Sequence, residues 1–316
     1  MSRPELYIHV GRAKHFARWE LPEFSRHFTL VGTPSPRTPL LSFGPDVFEE
    51  AAGLPATHRF AVLLPGFSFN PIRNLELRSS QIDLMAERFS QIFINPGPLE
   101  IAYRGVENVM VYPASVDMSL AKVRNYRTSL DSLLHVSQDN PQKDWHRSAS
   151  IMHKTGLRYE VYPPRDVRVL ESYVRKVDRK NAWRRAVGRR AIERLPLGYV
   201  IHESTIAKYQ DYDGFVHVAR DVRHPEFIDG MYTATFIEAG ATGAILFWHD
   251  TWGLGTPLET VFQLPLDTEK AAERILEIRS SLNVEAHSRR TSEEMLESFN
   301  AARSVAVRAE RMKEIL

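Results

Sequence analysis

FIDGMYTATFIEAGATGAILFWHDT, residues 227–251, decides the fold. A turn of small and polar residues runs into a short helical pattern, TATFIEAG, and then into the continuous apolar run AILFW. Apolar runs of this length, bounded by glycine and polar residues, suit strands of a parallel sheet that is covered on both faces. The one acid of FIEAGATGAILF, Glu238, stands between an apolar pair and a run of small residues, where a core would take leucine. A carboxylate in that place calls for a chemical reason.

Outward from this segment the same punctuation recurs. ELYIHV (5–10), FTLVG (28–32), PLLSFG (39–44), RFAVLLPG (59–66), SQIFIN (90–95) and NVMVYPAS (108–115) are β-rich runs in the first third. After a polar stretch come SLLHVSQ (132–138), RYEVYPP (158–164), GYVIHES (198–204), DGFVHVA (213–219) and GAILFWH (243–249). Residues 141–156, 165–176, 181–195 and 204–212 carry helical patterns between them. Strands that alternate with helices predict α/β layering. Two such series predict two doubly wound, Rossmann-like domains, 1–117 and 118–290, with a C-terminal helix, 291–316, that packs back on the first. Residues 268–282 and 291–316 have apolar stripes at helical spacing, and Thr291 with Glu294 reads as a capping box.

Composition sets the outer bounds. The 316 residues are 43% hydrophobic and 25% charged, which suits a soluble globular chain. No apolar run reaches the roughly 18 residues of a membrane helix, and the N-terminus lacks the apolar segment of a secretory signal. A cytoplasmic protein is therefore expected. The absence of cysteine removes disulfides, thiol nucleophiles and cysteine-ligated zinc. A net charge of +2 is too small to imply a polyanionic partner. The twelve histidines show neither His-x-x-x-His nor His-Glu-x-x-His spacing, no Gly-x-Gly-x-x-Gly follows the first strand, and there is no Walker loop. Zinc protease, dinucleotide and ATPase readings thus lack their fingerprints.

Four segments in the same order resemble one family. VENVMVYPASVD (106–117), LLHVSQDNPQKDW (133–145), KYQDYDGFVHVARDV (208–222) and TATFIEAGATGAILF (233–247) are similar to successive motifs of the GT-B glycosyltransferases, above all the large retaining group that uses nucleotide sugars. The resemblance spans residues 85–265, and the first domain is shorter than the family norm. It implies a GT-B fold with two Rossmann-like domains facing a cleft. It also implies a hexosyl- or pentosyltransferase that moves a sugar from a nucleotide-diphosphate sugar, UDP-sugar first among them, to an acceptor hydroxyl. The family works without a cofactor or a bound metal.

The residues give this chemistry a place. In an open α/β sheet, ligands sit at the carboxyl ends of the strands, where a helix N-terminus offers unpaired amides to anions. If TATFIEAG opens a helix, the amides around Thr233, Ala234 and Thr235 face a diphosphate, and the threonine hydroxyls add donors. The resemblance implies that Glu238 accepts hydrogen bonds from the donor ribose; taken alone, it reads equally as an acid favoured by the helix dipole. Lys143 lies in the first turn of a predicted helix, where the dipole disfavours a cation. The resemblance gives it the departing diphosphate to neutralise.

Two positions depart from the family pattern. Gln138 replaces an arginine that acts with the lysine, and Arg12 from the first domain is a substitute. Gly230 replaces a second glutamate, and Asp229 beside it is the acid at hand, so the stereochemical outcome stays open. Gly11 permits a tight turn after the first strand, which would aim Arg12 and His15 at the cleft. His15 is a candidate general base, or simply an exposed loop side chain. Ser68 is either an acceptor contact or part of a strand-ending turn, and His202 either touches the donor base or caps a helix.

RKVDRKNAWRRAVGRRAIER (175–194) sets nine Lys and Arg around Trp183. Such a cluster neutralises phosphates, so a DNA-modifying glycosyltransferase or an anionic membrane surface is an alternative. Ala182, Trp183, Ala186, Ile192 and Leu195 also form an apolar face, and an ordinary basic helix packed on that face is favoured. Gln138 and Gly230 suggest another alternative, a non-catalytic nucleotide-sugar-binding protein, and a sugar epimerase of the same fold is a third. These motifs do not specify the donor sugar, the base or the acceptor, whether glycan, small molecule or modified DNA base.

Overall fold

The computed structural model describes residues 3–10, 14–43, 48–63, 75–97, 99–100, 103–113, 115, 123–137, 145–162, 179, 182–184, 186–188, 202–218, 232–250, 253 and 255–316. The six runs of the first third form β1 (Glu5–Val10), β2 (Thr29–Val31), β3 (Leu40–Phe43), β4 (Arg59–Leu63), β5 (Gln91–Ile94) and β6 (Val109–Val111). They pair parallel in the order β2-β1-β3-β4-β5-β6. Among them run α1 (Lys14–His27), α2 (Phe48–Gly53) and α3 (Leu75–Arg88). Side chains alternate along a strand, so the apolar runs other than the edge strand β2 feed two cores. Leu6, Leu41, Phe43, Phe60, Val62 and Phe93 meet Phe24 and Phe28 on one face. Leu40, Ala61, Leu63, Ile92 and Ile94 meet Ala51, Met85 and Phe89 on the other. Each of the larger side chains among them contributes about 1.5–3 kcal/mol by leaving water.

The second sheet holds β7 (Ser132–Val136), β8 (Arg158–Tyr162), β9 (Gly214–Val218), β10 (Ile245–His249) and β11 (Val261–Leu264), parallel in the order β11-β10-β9-β7-β8. The short VFQL strand, β11, is absent from the sequence reading because four residues between two prolines and a threonine show too little periodicity. On one face Leu134, Val136, Phe215, Leu246 and Trp248 pack with α5 (His202–Tyr209) and α6 (Ala234–Ala241). On the other, Leu133, Val216, Val218, Ile245 and Phe247 pack with α4 (Trp145–Lys154) and α7 (Thr268–Ser281). Within GYVIHES, residues 202–204 are helical and open α5, so the predicted strand does not extend that far. Every strand from β7 to β11 runs the same way, which puts all their carboxyl ends on one edge.

The chain end differs from its sequence reading in two ways. In place of one helix over 291–316 there are two, α8 (Val284–Ser298) and α9 (Ala301–Ile315), separated by Phe299 and Asn300. The caps are Asn283 and Asn300, whose side chains accept from the amides of Ala286 and Arg303. Thr291 is not a cap: it is buried in the third turn of α8, and its hydroxyl donates to the carbonyl of His287 at 2.9 Å. Its supposed partner Glu294 accepts from the amides of Glu259 at 2.7 Å and Thr260 at 3.0 Å. The box fails because the helix starts eight residues before Thr291, at the Asn283 cap, and the buried stripe starts there with Val284 and Ser288.

Helix α9 lies against the first sheet's layer, with Val305, Ala309 and Met312 in the same cluster as Phe24 and Phe28 of α1. Arg308, 1% exposed, meets the equally buried Glu20 of α1 at 2.6 Å. The same Glu20 oxygen accepts from the amide and the hydroxyl of Ser115, in the connection that follows β6, at 3.0 and 2.7 Å. Ser304 donates to the carbonyl of Pro113 at 2.9 Å. Trp19 of α1 also reaches the core cluster of the second sheet. One buried ion pair therefore holds α1, the crossover between the sheets and the last helix together.

Candidate functional site

In the second sheet the strand order reverses at β7, between β8 and β9, and the ligand crevice of such a sheet opens at the carboxyl ends beside that reversal. Helix α6 begins on this edge, because it lies between β9 and β10 in the chain and returns antiparallel to them. Its cap is Thr233, extended at φ −79° and ψ 153°, whose hydroxyl accepts from the amide of Phe236. The hydroxyls of Thr233 and Thr235 lie 3.2 Å apart. No acid occupies the first turn. Tyr232, just before the cap, is fixed by an edge-on contact with Phe299 at 5.4 Å and a 2.9 Å hydrogen bond to the Thr256 hydroxyl. A half-buried helix start with no acid in its first turn is a place for an anion.

Glu238 lies one turn deeper and is 3% exposed. Its Oε2 accepts from the hydroxyl of Tyr209, the last residue of α5, at 3.2 Å. Burial first, and then the neighbouring Glu238 charge, push the Tyr209 phenol well above its usual pKa, so it stays a donor. Sequence reading missed this partner, because nothing local in STIAKYQDY marks a tyrosine that meets a carboxylate on another helix.

Behind both residues lies Arg127, buried and likewise missed. Its guanidinium donates to the carbonyls of Tyr209 at 2.6 Å and Tyr212 at 3.2 Å, and also to that of Thr242. It thereby binds the C-terminal ends of α5 and α6, where a cation complements the helix dipole. Desolvation lowers its pKa to about 10, and Asp213 partly opposes the shift. Gly243, at φ 81°, closes α6 beside it; a side chain there would meet the Ser288 hydroxyl at 2.7 Å.

Further along the same edge, Asp250 follows β10 and accepts from the amides of Gly253 at 3.0 Å and Gly255 at 2.9 Å, which braces the loop. An aspartate followed by two glycines in HDTWGLG is a readable turn signal. His135, on β7, is buried with Nδ1 at 2.9 Å from the carbonyl of Val216 and Nε2 at 2.8 Å from the Ser137 hydroxyl. A carbonyl only accepts, so Nδ1 carries the proton. Among the described residues, no group of three His, Asp or Glu side chains is placed to hold a metal ion, and no helix is long and apolar enough to cross a membrane.

Of the residues singled out in the sequence, the structure brings together Thr233, Ala234, Thr235 and Glu238 on α6. His15 and His202 fall in α1 and α5, but their side chains are outside the described residues, as are Gly11, Arg12, Ser68, Lys143, Gln138, Asp229 and Gly230. In the basic segment, Ala182, Trp183 and Ala186 are exposed, with Trp183 at 56%. That corrects the expectation of a packed apolar face for these three. Their positions are helically spaced, yet all three stay exposed.

The sequence matches no protein-family model and no curated protein. Its structure, however, superposes on solved glycosyltransferases over nearly its whole length. The chain has the GT-B fold. A trehalose 6-phosphate synthase from Burkholderia multivorans is similar at a TM-score of 0.60 and 12% identity, over 99% of both chains. A TarM variant from S. aureus, solved with fondaparinux, α-GlcNAc-glycerol and UDP, is similar at a TM-score of 0.59 and 14% identity, over 89% of this chain. The pneumococcal O-GlcNAc transferase GtfA, solved with UDP and GlcNAc, is similar at 0.55 and 14%, over 94%. This chain spans 55% of TarM and 59% of GtfA.

Proposed function

We propose that this chain is a glycosyltransferase that moves a sugar from a nucleotide-diphosphate sugar, in the first instance a UDP-sugar, to an acceptor hydroxyl. The observation that carries the reading is the start of α6. A helix N-terminus with two threonine hydroxyls and no acid in its first turn lies on the ligand edge of the sheet, and a buried carboxylate stands one turn below it. The first suits a diphosphate. The second suits a vicinal diol, because a carboxylate has acceptor sites for two hydroxyl donors. Three GT-B structures similar to this one belong to sugar transferases or sugar-phosphate synthases, two of them solved with UDP.

In this reading the amides of Ala234 and Thr235 hold the diphosphate, Glu238 the ribose and His202 the base. Lys143 stabilises the charge that grows on the leaving diphosphate, an interaction strongest in the transition state. His15 takes the proton of the acceptor hydroxyl, with Asp229 as the acid near the reacting carbon, while Gly11, Arg12 and Ser68 belong to the acceptor side. No cofactor takes part, and the cytoplasm is the setting that a cysteine-free chain suits.

Three measurements test this. UDP at 100 times its dissociation constant should add about 2.7 kcal/mol to the stability of the protein. Glu238→Ala should weaken UDP binding by about 1.5–3 kcal/mol, the worth of a hydrogen bond to a charged group, and should leave 2′,3′-dideoxy-UDP binding unchanged. Equal losses for both nucleotides would reduce Glu238 to a helix acid. Slow hydrolysis of the donor in the absence of acceptor separates an enzyme from a non-catalytic binder.

A second reading changes only the acceptor. Trp183, 56% exposed, lies among the nine Lys and Arg of the segment 175–194, a composition that suits the phosphates of a nucleic-acid substrate. Duplex DNA binding that falls steeply with salt supports it; salt-independent or absent binding leaves the small-molecule or glycan acceptor.

A further inference from the structure

We propose that Tyr209 is a positioning residue for the donor ribose: its hydroxyl holds Glu238 in the one orientation that receives a 2′,3′-diol, and Arg127 fixes Tyr209 in turn. This inference rests on the reading of Glu238 as the ribose acceptor. Tyr209 is 1% exposed, and its ring is locked edge-on against Phe215 at 5.8 Å, which itself stands edge-on to Phe236 of α6 at 6.2 Å. Side chains on a helix lean toward its N-terminus. The ring of Tyr209, at the far end of α5, therefore leans toward the ligand edge and meets Glu238 from the core side.

The bond to Oε2 at 3.2 Å takes up one acceptor site and limits rotation of the carboxylate. A carboxylate free to turn about its last torsion presents a diol with many poor geometries, since that torsion is broad. The Tyr209 bond therefore fixes Oε2 from the core side of the carboxylate. The phenol cannot compete as an acid, because burial beside a carboxylate keeps it protonated.

Arg127 supplies the second half of the device. Its planar fork binds the backbone of Tyr209 itself, at 2.6 Å, and that of Thr242 at the end of the helix that carries Glu238. The distance between donor hydroxyl and carboxylate is thus set by one rigid group rather than by two independent helices.

The test compares UDP with 2′,3′-dideoxy-UDP by calorimetry on wild type, Tyr209→Phe, Glu238→Ala and the double variant. Phenylalanine keeps the ring contacts. Tyr209→Phe should weaken UDP binding roughly 3–10-fold, the worth of one hydrogen bond, leave the dideoxy analogue unchanged, and add no loss in the Glu238→Ala background. Equal losses for the two nucleotides, or full additivity with Glu238→Ala, would show a structural role only and overturn the proposal. If UDP binds through Glu238 and its hydroxyls but ignores Tyr209→Phe, the inference falls and the site assignment stands. If UDP does not bind wild type, both fall. Should Tyr209→Phe not fold, proton NMR of wild type decides: the Tyr209 hydroxyl proton should shift on addition of UDP and stay put with the dideoxy analogue, and any other pattern refutes the role.

Discussion

Arg308→Ala will destabilise the protein by about 3–5 kcal/mol, the range for removing one partner of a buried ion pair, seen as a lower urea midpoint with the slope unchanged. Glu20 is 1% exposed, and one of its oxygens carries the bonds from Arg308 and from both donors of Ser115. Without the guanidinium, that carboxylate remains buried with only neutral donors. Glu20→Ala should cost as much, for the mirror reason. The double replacement Glu20→Leu with Arg308→Met should recover most of the loss, because desolvation of two charges offsets much of their attraction. A double variant as unstable as the sum of the singles would mean that the pair acts through packing, including the contact of Arg308 with the Phe24 ring at 5.7 Å.

Arg127→Met comes next in size. It strips the donor from the carbonyls of Tyr209, Tyr212 and Thr242, all at helix ends or the turn that follows, and an unsatisfied buried group costs about 1–3 kcal/mol. Relief of the guanidinium's own desolvation offsets part of this, as its lowered pKa of about 10 shows. The net loss should be roughly 3 kcal/mol. Arg127→Lys should rescue little, since a single ammonium cannot reproduce a planar fork across three carbonyls. UDP affinity should fall along with stability in Arg127→Met, whereas Arg308→Ala, on the other side of the molecule's crossover, should lose stability with much less effect on UDP. Unfolding by urea and titration of UDP on the same samples separate the two.

The parts legible in the sequence were the parts written in local pattern. LLSF, RFAVL and QIFI are strands whose residues alternate between two covered faces, and SLLHV, GFVHV and ILFWH follow the same rule, whereas TLV and RYEVY at the sheet edges stay partly exposed. The start of α6 was legible because Thr233 and the small residues after it are a local cap and turn signal. Where local signals competed, the reading failed. Thr291 and Glu294 have the spacing of a capping box, but Asn283 caps the helix and the two residues serve other partners. Ala182, Trp183 and Ala186 have the spacing of a packed face, but all three are exposed.

The sequence by itself thus determined two parallel α/β layers, the helix that opens at Thr233 and a carboxylate one turn inside it, because strands, helices and caps are set by neighbours a few residues apart. Only the tertiary structure decided what that carboxylate touches and what holds the layers together. Tyr209 lies 29 residues from Glu238, Arg127 lies 82 and 115 residues from two of the carbonyls it binds, and Glu20 lies 288 residues from Arg308. A hydrogen bond between side chains so far apart imposes no period and no spacing on either segment, so it becomes visible only when packing brings the two ends within 3 Å or so of each other.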